Sequence, residues 1–346
     1  MTLVLAVEID GDGSHPAAWR RAGHPPSQLL TPRRVRHVAE IAERAGFALV
    51  TLDDDLLPPG DGGPAGRIGA VERAAFVAAS TSVLAVAPVV STTYTEPFHV
   101  SSQLASVDHI AVGRSGWVVA ASPRPEAAAA WGRPEADPAR EALDAVRVVR
   151  ALWDSWDDDA VIRDVATGRY LDRDRLRYID YAAATYTVKG PAIVPRPPQG
   201  QLVVLAPHGL VPDAEIDVAL VGGSGAGAIA RTAAPRTFAE IEVALDTTTA
   251  DGAERVAALD GFAPWPDRGR VRYTGSPEGL VRLLRELHAR GEVDGVRLHP
   301  LVLDEDLAVL SQYVIPALIK SGLARRPVPG VSLRQTLGLA RPEVHA

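Results

Sequence analysis

Eight short runs of apolar residues, rich in Val, Leu and Ala, recur along the chain and are separated by longer polar or amphipathic stretches. Runs of this length without alternating polar residues are typical of strands that are covered on both faces. The runs lie at 3–7, 48–52, 83–90, 117–121, 201–206, 218–221, 239–245 and 295–299. The pattern therefore predicts eight buried strands.

Helical patterns lie between many of these runs, at 31–46, 96–112, 141–153 and 276–290. Thr31 precedes Pro32 and Ser276 precedes Pro277, which is the pattern of a capped helix with proline in its first turn. Gly46 can take the left-handed conformation that ends a helix. Strands that alternate with helices usually pair in parallel, so we predict an α/β protein. Eight strands favour a TIM-type (β/α)8 barrel over an open, doubly wound sheet.

Length and composition are those of an ordinary globular protein. The chain has 346 residues, of which 47% are hydrophobic and 23% are charged, values within the range of one elaborated barrel. We therefore predict a single domain over residues 1–346. An excursion from the core is expected at about 157–200, where the sequence is rich in charge and ends in a proline-rich segment.

Charge and cysteine content narrow the function classes. The formal net charge of -7 disfavours nucleic-acid binding, because such proteins normally carry a basic surface that neutralises phosphates. The chain contains no cysteine, which excludes disulfides and thiolate metal sites and fits a reducing compartment. We find no export signal and no apolar run long enough to span a bilayer. These features predict a cytoplasmic protein whose partners are small molecules.

Two motifs outside the strand pattern suggest other chemistry. The glycine-rich segment 222–228, with Glu242 downstream, superficially fits a dinucleotide-binding pattern. Its continuation to Pro235 is too short for a full crossover helix, so a glycine-rich barrel loop is the preferred interpretation and the dinucleotide site is the alternative. His99 and His109 lie about three helical turns apart, too far for one metal. No metal site is predicted.

A family resemblance rests on motifs that occur in family order along nearly the whole chain. Segments 91–99 (STTYTEPFH), 106–109 (SVDH) and 113–117 (GRSGW) resemble the nitrilotriacetate monooxygenase branch of the luciferase-like family. Further echoes lie at 18–20, 152–156, 188–191, 194–200, 294–295, 314–318 and 333–339. The resemblance implies a luciferase-like TIM-type barrel, a homodimer, and a monooxygenase that oxidises a small organic substrate with molecular oxygen. It also implies reduced FMN as cofactor, supplied by a separate flavin reductase.

The resemblance assigns cofactor-binding positions but no catalytic residue. Asp54 matches an acid near the flavin at the end of the second strand, and Ser91 with Thr92 matches a flavin-contacting hydroxyl after the third. His208 and Gly209 lie in the loop that matches the family's phosphate-binding turn. Simpler alternatives stay open: a solvated acid cluster at 53–55, hydroxyls that cap the next helix, and a solvated histidine.

Several positions depart from the family pattern. Where the family has a His and an Arg-Tyr pair that face the cofactor, this chain has Glu135, Pro138 and Ala139. In the phosphate-binding turn Pro207 and Pro212 replace residues with backbone N–H groups, and proline has none to donate. Two hypotheses follow. The chain is either a two-component FMN-dependent monooxygenase with an altered phosphate site, or a flavin-free luciferase-like barrel that acts as a binding or partner protein.

Overall fold

The computed structural model describes residues 2–59 and 65–344. In chain order its strands are β1 (Val4–Glu8), β2 (Leu49–Leu52), β3 (Ala85–Ser91), β4 (Gly116–Ala120), β5 (Val161–Asp164), β6 (Arg169–Leu171), β7 (Tyr181–Ala182), β8 (Thr187–Val188), β9 (Val203–Pro207), β10 (Val218–Val221), β11 (Arg236–Leu245), β12 (Val271–Gly275) and β13 (Gly295–Pro300). The α-helices are α1 (Pro32–Ala45), α2 (Ala70–Ser80), α3 (Pro97–Ala111), α4 (Pro125–Trp131), α5 (Pro138–Trp153), α6 (Gly252–Asp260), α7 (Pro277–Ala289), α8 (Leu303–Val309), α9 (Ile315–Lys320) and α10 (Leu333–Thr336).

Eight parallel strands close into a barrel in the order β1, β2, β3, β4, β9, β10, β11 and β13, with β13 returning to β1. Each of the eight apolar runs forms one of these strands, so the predicted luciferase-like TIM-type barrel is confirmed. One further strand, β12, pairs in parallel with the second half of β11. The pattern of apolar runs did not predict β12.

The predicted caps of α1 and α7 are also confirmed, whereas α5 begins at Pro138, three residues before the predicted start at 141. The Thr31 hydroxyl accepts a hydrogen bond from the Arg34 N–H at 3.4 Å, and Gly46 ends α1 with φ 106°. Ser276 caps α7 through the N–H of Gly279 at 3.2 Å. In the described ranges no helix combines the length and apolarity needed to cross a membrane.

The barrel interior changes character from one end to the other. Near the N-terminal ends of the strands it is apolar: Val4, Leu49 and Phe238 pack there against Leu333 of α10. Side chains on a strand alternate between its two faces. Along β11, Ala239, Ile241 and Val243 therefore join the core between barrel and helices, while Phe238, Glu240 and Glu242 point inward. The interior near the C-terminal ends of the strands is therefore charged.

Residues between α5 and β9 leave the barrel. They form two antiparallel hairpins, β5 with β6 and β7 with β8. Trp156 and Val188 of this segment pack on Val148 and Leu152 of α5. The indole N–H of Trp156 donates to the Ala192 carbonyl at 2.8 Å. This hydrogen bond joins the beginning of the segment, at Trp156, to its later part, at Ala192.

Candidate functional site at the barrel mouth

The C-terminal ends of the barrel strands surround a buried guanidinium group. Arg297 on β13 donates through Nε to the Thr51 hydroxyl at 2.9 Å, through Nη1 to Glu240 Oε1 at 3.0 Å, and through Nη2 to Glu8 Oε2 at 2.8 Å. The side chain is only 5% exposed. It therefore connects four adjacent strands, β2, β1, β13 and β11. We call Glu8, Thr51, Glu240, Arg297 and His299 the mouth network.

His299 completes the mouth network as a neutral ring. Its Nε2 lies 3.1 Å from Glu240 Oε1. Burial, reinforced by the positive charges of Arg270 and Arg297, lowers its pKa to about 4, so at neutral pH the ring donates one N–H to Glu240. Burial alone would raise the pKa of Glu240, but Arg297 and the His299 hydrogen bond hold it well below its usual range. Glu240 is thus a permanent anion.

Asp53 is the titrating acid of the mouth. Burial raises its pKa to about 6, and the carboxylates of Glu8 and Asp10 repel its charge further. Asp53 Oδ1 accepts the N–H of Asp54 at 3.0 Å. Near neutral pH this carboxyl therefore changes between two charge states.

Replacing Asp53 with asparagine should stabilise the protein at pH 7.5. The native carboxyl titrates near 6 rather than 3.8, so the stability it contributes below pH 4 is lost as the pH rises through 6. Asparagine avoids this loss, and we expect Asp53→Asn to raise the free energy of unfolding by about 1 to 3 kcal/mol at pH 7.5. Urea unfolding at pH 7.5 and pH 4 measures the gain, which should vanish at pH 4. An equal gain at both pH values would contradict the assignment.

A segment between α6 and β12 crosses the mouth. Within it the carbonyl of Gly269 accepts the N–H of Gly223 at 2.8 Å, just after β10. The approach is so close that a methyl group on Gly222 would overlap the Gly269 carbonyl oxygen. We call residues 262–270 the arginine segment, because it brings Arg268 and Arg270 to the mouth.

A polar cavity of about 160 Å³ remains beneath the arginine segment. It is lined by Glu8, Asp10, Gly13, Ser14, Asp53, Arg67, Arg268, Arg270, His299 and Pro300. Cofactor-sized sites usually offer roughly 300 to 1,000 Å³ with mostly apolar walls. This cavity is smaller and is lined mainly by charged side chains, so it does not fit an isoalloxazine ring.

The predicted acid Asp54 lies at the same end of the barrel, but both of its carboxylate oxygens accept hydrogen bonds from backbone N–H groups. Its Oδ2 accepts the N–H of Ala70 at 2.7 Å and its Oδ1 that of Asp55 at 2.9 Å. Asp54 thus holds the start of α2, and the neighbouring acid that lines the cavity is Asp53. A flavin contact by Asp54 stays a prediction.

The predicted hydroxyls Ser91 and Thr92 lie at the end of β3. Ser91 Oγ accepts the N–H of Thr93 at 3.3 Å, and Thr92 Oγ1 donates to the Ala120 carbonyl at 3.0 Å. Their alternative role as helix caps is wrong, because the carboxylate of Glu96 caps α3 by accepting two N–H groups of its first turn. A flavin contact by either hydroxyl stays a prediction.

A second cavity, of about 300 Å³, lies outside the barrel mouth, between the end of β3 and the segment that precedes α5. Thr92 and Glu135 both line it. Both residues lie at positions that the family resemblance places near the cofactor. Among the described residues, this cavity therefore brings together two of the positions that the resemblance places near the flavin.

The predicted phosphate loop is a shallow turn between β9 and β10. Gly209 has φ 86°, a conformation that suits glycine. His208 Nδ1 lies 3.3 Å from Asp213 Oδ1, and the imidazole is 55% exposed. With an acid beside its one basic group, and with Pro207 and Pro212 lacking N–H donors, the loop does not fit a dianionic phosphate.

The dinucleotide alternative is wrong. Within the described residues, β10 connects to β11 through one turn of 3-10 helix, Ala226–Ala228, and no α-helix. Glu242 is buried and its Oε2 accepts from Arg272 Nε at 2.9 Å, so it is not available to a ribose. No group of three metal-ligating acids or imidazoles occurs in the described part of the chain.

The charged residues of the mouth were not among the predicted site residues. A signal for them exists: Glu240 and Glu242 interrupt an apolar strand at a spacing of two, and so do Arg297 and His299. Polar residues with that spacing face one side of a strand. In a barrel strand whose outer face is apolar, that side is the interior.

The fold has counterparts in known proteins. The family model described as luciferase-like monooxygenase matches residues 12–264. The chain therefore belongs to the luciferase-like monooxygenase family, as the sequence motifs predicted.

Curated relatives cover different shares of the chain. N-acetyl-S-(2-succino)cysteine monooxygenase of Bacillus subtilis (strain 168) is 33% identical over 207 residues, which are 58% of this chain and 47% of that protein. One of the subunits of pristinamycin IIA synthase, from Streptomyces pristinaespiralis, is 32% identical over 250 residues, 72% of this chain and 80% of that protein. Nitrilotriacetate monooxygenase component A of Aminobacter aminovorans is 36% identical over 135 residues, 38% of this chain and 30% of that protein. The matched region spans about half the length of the first of these relatives.

Solved structures share the whole fold. EDTA monooxygenase from Chelativorans sp. BNC1 superposes with a TM-score of 0.83 at 18% identity, covering 100% of both chains. Riboflavin lyase also gives a TM-score of 0.83, at 21% identity, covering 98% of this chain and 96% of that one. At these identities the likeness establishes the fold alone.

Proposed function

We propose that this chain works in a flavin-dependent monooxygenase system as a binding or partner component that does not hold FMN at its own barrel mouth. The observation that carries the proposal is the filled mouth. Arg297 joins Glu8, Thr51 and Glu240 on four adjacent strands of the interior, and Arg268 and Arg270 of the arginine segment line the same cavity as Glu8 and His299. A flavin ring could enter only if this set of buried charges were displaced.

The phosphate loop supports the same proposal. Each charge-assisted hydrogen bond to a phosphate contributes roughly 1.5 to 3 kcal/mol. The pair of His208 with Asp213 presents a carboxylate at the place where the family turn presents donors. Two lost donors would weaken FMN binding by several factors of ten.

The relative matched over most of both chains also favours a partner role. Its name describes one subunit of pristinamycin IIA synthase, so it acts together with at least one other chain. We propose by analogy that this chain lies beside a flavin-binding oxygenase chain.

The second candidate is an active two-component monooxygenase. It would use molecular oxygen and reduced FMN from a separate reductase to oxidise a small organic substrate. The cavity of about 300 Å³ favours it, because Thr92 and Glu135 both lie at positions where the family contacts flavin. Under this second candidate we propose a homodimer. Under either candidate we propose a cytoplasmic, single-domain chain without nucleic-acid or membrane partners.

Anaerobic titration with reduced FMN separates the two candidates. We expect binding at least ten times weaker than that of a luciferase-like monooxygenase that keeps the family's His and Tyr positions, because phosphate donors are missing. The variant His208→Ala should bind reduced FMN no differently from the parent chain.

Tight, stoichiometric binding of reduced FMN would overturn the partner proposal and restore the monooxygenase. In that case His208 becomes the leading phosphate contact, and His208→Ala should weaken binding measurably. Substrate oxidation with a supplied reductase would then be the next measurement.

A further inference from the structure

Three guanidinium groups converge on the mouth cavity without hydrogen-bond partners among the described residues. Arg67, Arg268 and Arg270 all line the cavity of about 160 Å³. The nearest carboxylate oxygens are 3.8 Å away, from Asp10 to Arg67 and from both Glu240 and Glu242 to Arg270. Each guanidinium carries five N–H donors that need acceptors. The cavity therefore has an unusual density of unused donors.

The nearby acids are already paired with other arginines. Asp10 accepts from Arg73, and both Glu8 and Glu240 accept from Arg297. The charged groups around the mouth are the carboxylates of Glu8, Asp10, Asp53, Glu240 and Glu242 and the guanidinium groups of Arg67, Arg73, Arg268, Arg270, Arg272 and Arg297. The cavity lining itself carries three carboxyl groups, Glu8, Asp10 and Asp53, and three guanidinium groups, Arg67, Arg268 and Arg270, so protonation of Asp53 leaves one positive charge in excess.

A hydroxyl group adds an independent sign of a ligand. Ser14 lines the same cavity, and its Oγ is buried with no hydrogen-bond partner in the described part of the chain. Buried hydroxyls are normally satisfied, so an orphaned one calls for an explanation. A bound acceptor would satisfy Ser14 and the arginines together.

We propose that the mouth cavity binds a small oxyanion, a carboxylate or phosphate group, between Arg268, Arg270 and Ser14, with Arg67 at the entrance. Guanidinium groups bind planar and tetrahedral oxyanions through pairs of N–H donors. The volume suits a small anion and is too small for a flavin. The inference deepens the proposed function because it names the class of ligand that the barrel mouth binds. It rests on the proposed function in one respect, namely that no flavin occupies the mouth.

Asp53 makes this site sensitive to pH. It lines the cavity, and the charges that act on it are those of Glu8 and Asp10 near β1, Arg297 on β13, and Arg270. Ionised Asp53 repels an anion, whereas the protonated carboxyl can donate a hydrogen bond. Since burial raises its pKa to about 6, the charge of Asp53 should weaken anion binding at pH 7.5 and not at pH 5.5.

Isothermal titration with succinate and, separately, with inorganic phosphate tests the site. We expect saturable binding of at least one probe. Arg270→Gln should raise its Kd about tenfold, the loss of one charge-assisted hydrogen bond. Arg285→Gln removes an exposed arginine of α7 and should leave Kd unchanged. Succinate and phosphate themselves gain negative charge between pH 5.5 and pH 7.5, so the effect of Asp53 is obtained by comparing Asp53→Asn with the parent chain at each pH. The variant should bind more tightly than the parent chain at pH 7.5 and about equally at pH 5.5.

A pair of glycine variants tests the geometry. Gly222→Ala should displace the arginine segment and weaken anion binding, because the added methyl overlaps the Gly269 carbonyl. Gly227→Ala lies in the same loop, where a methyl would meet nothing within 4 Å, and should bind like the parent chain. Thermal unfolding shows whether each variant is folded.

The outcomes distinguish a carboxylate ligand from a phosphate ligand. They also distinguish failure of the anion site from failure of the partner proposal. Binding of succinate alone identifies a carboxylate site, and binding of phosphate alone a phosphate site. Failure of both probes at millimolar concentration, or equal binding by Arg270→Gln and the parent chain, overturns the inference. Reduced FMN is titrated without these anions, so tight flavin binding overturns the partner proposal whatever the anions do.

Discussion

Replacing Arg297 with methionine is expected to destabilise the protein by about 3 to 5 kcal/mol, the cost of removing one partner from a buried ion pair. Methionine fills similar space but leaves Glu8 and Glu240 as neighbouring buried anions. It also removes the donor to the Thr51 hydroxyl. Urea unfolding at pH 7.5 measures the loss as a shift of the midpoint at constant slope.

Two further variants show whether the charge, and not the packing, is responsible. Combining Arg297→Met with Glu8→Gln and Glu240→Gln neutralises the orphaned acids and should recover part of the stability. Arg290→Met removes an arginine whose pair with Glu292 is exposed, and should cost less than about 1 kcal/mol. If Arg297→Met cost no more than Arg290→Met, the mouth network would not be an important contributor to stability.

The barrel strands could be predicted because their surroundings are uniform. Strands such as β3 and β10 are covered on both faces, by helices outside and by side chains inside, so their sequences are apolar throughout. The strand β12 lacks this signature. It reads Val271-Arg272-Tyr273-Thr274, with exposed residues alternating along it, because it lies beside the outer half of β11. A search for apolar runs therefore passes over it.

The site was harder to predict because it depends on single-residue register and on distant contacts. Family motifs drew attention to Asp54, but the side chain that reaches the cavity is that of Asp53, one position earlier. Neighbouring side chains on an extended chain point in opposite directions. Which of them faces inward follows only from how β2 is placed in the barrel.

The arginine segment illustrates the second difficulty. Nothing in the local sequence of Arg268 and Arg270 predicts that they reach the barrel mouth. Their position depends on the hydrogen bond from Gly223 to Gly269, which joins two loops far apart in sequence. Contacts of this kind come from tertiary packing and have no local periodic signal.

A second buried arginine, Arg255, anchors the helix that precedes the arginine segment. Its Nη1 and Nη2 donate to the two carboxylate oxygens of Asp306 at 2.7 and 3.0 Å, and its Nε donates to Glu305 at 2.8 Å. The side chains of Arg255 and Asp306 are both 0% exposed. This bidentate ion pair joins α6 to α8 and is fully buried.

Arg255→Met should therefore lower the free energy of unfolding by about 3 to 5 kcal/mol, since Asp306 is left as a buried charge without its partner. Arg21→Met is the matched control, because Arg21 donates to the same Glu305 at 2.9 Å from a side chain that is 33% exposed. It should cost less than about 1 kcal/mol, and urea unfolding of both variants measures the difference. Because α6 leads into the arginine segment, we expect Arg255→Met, where it remains folded, also to weaken binding of the anion at the mouth. Equal stability losses in the two variants would show that Glu305, and not the buried pair with Asp306, holds α6 in place.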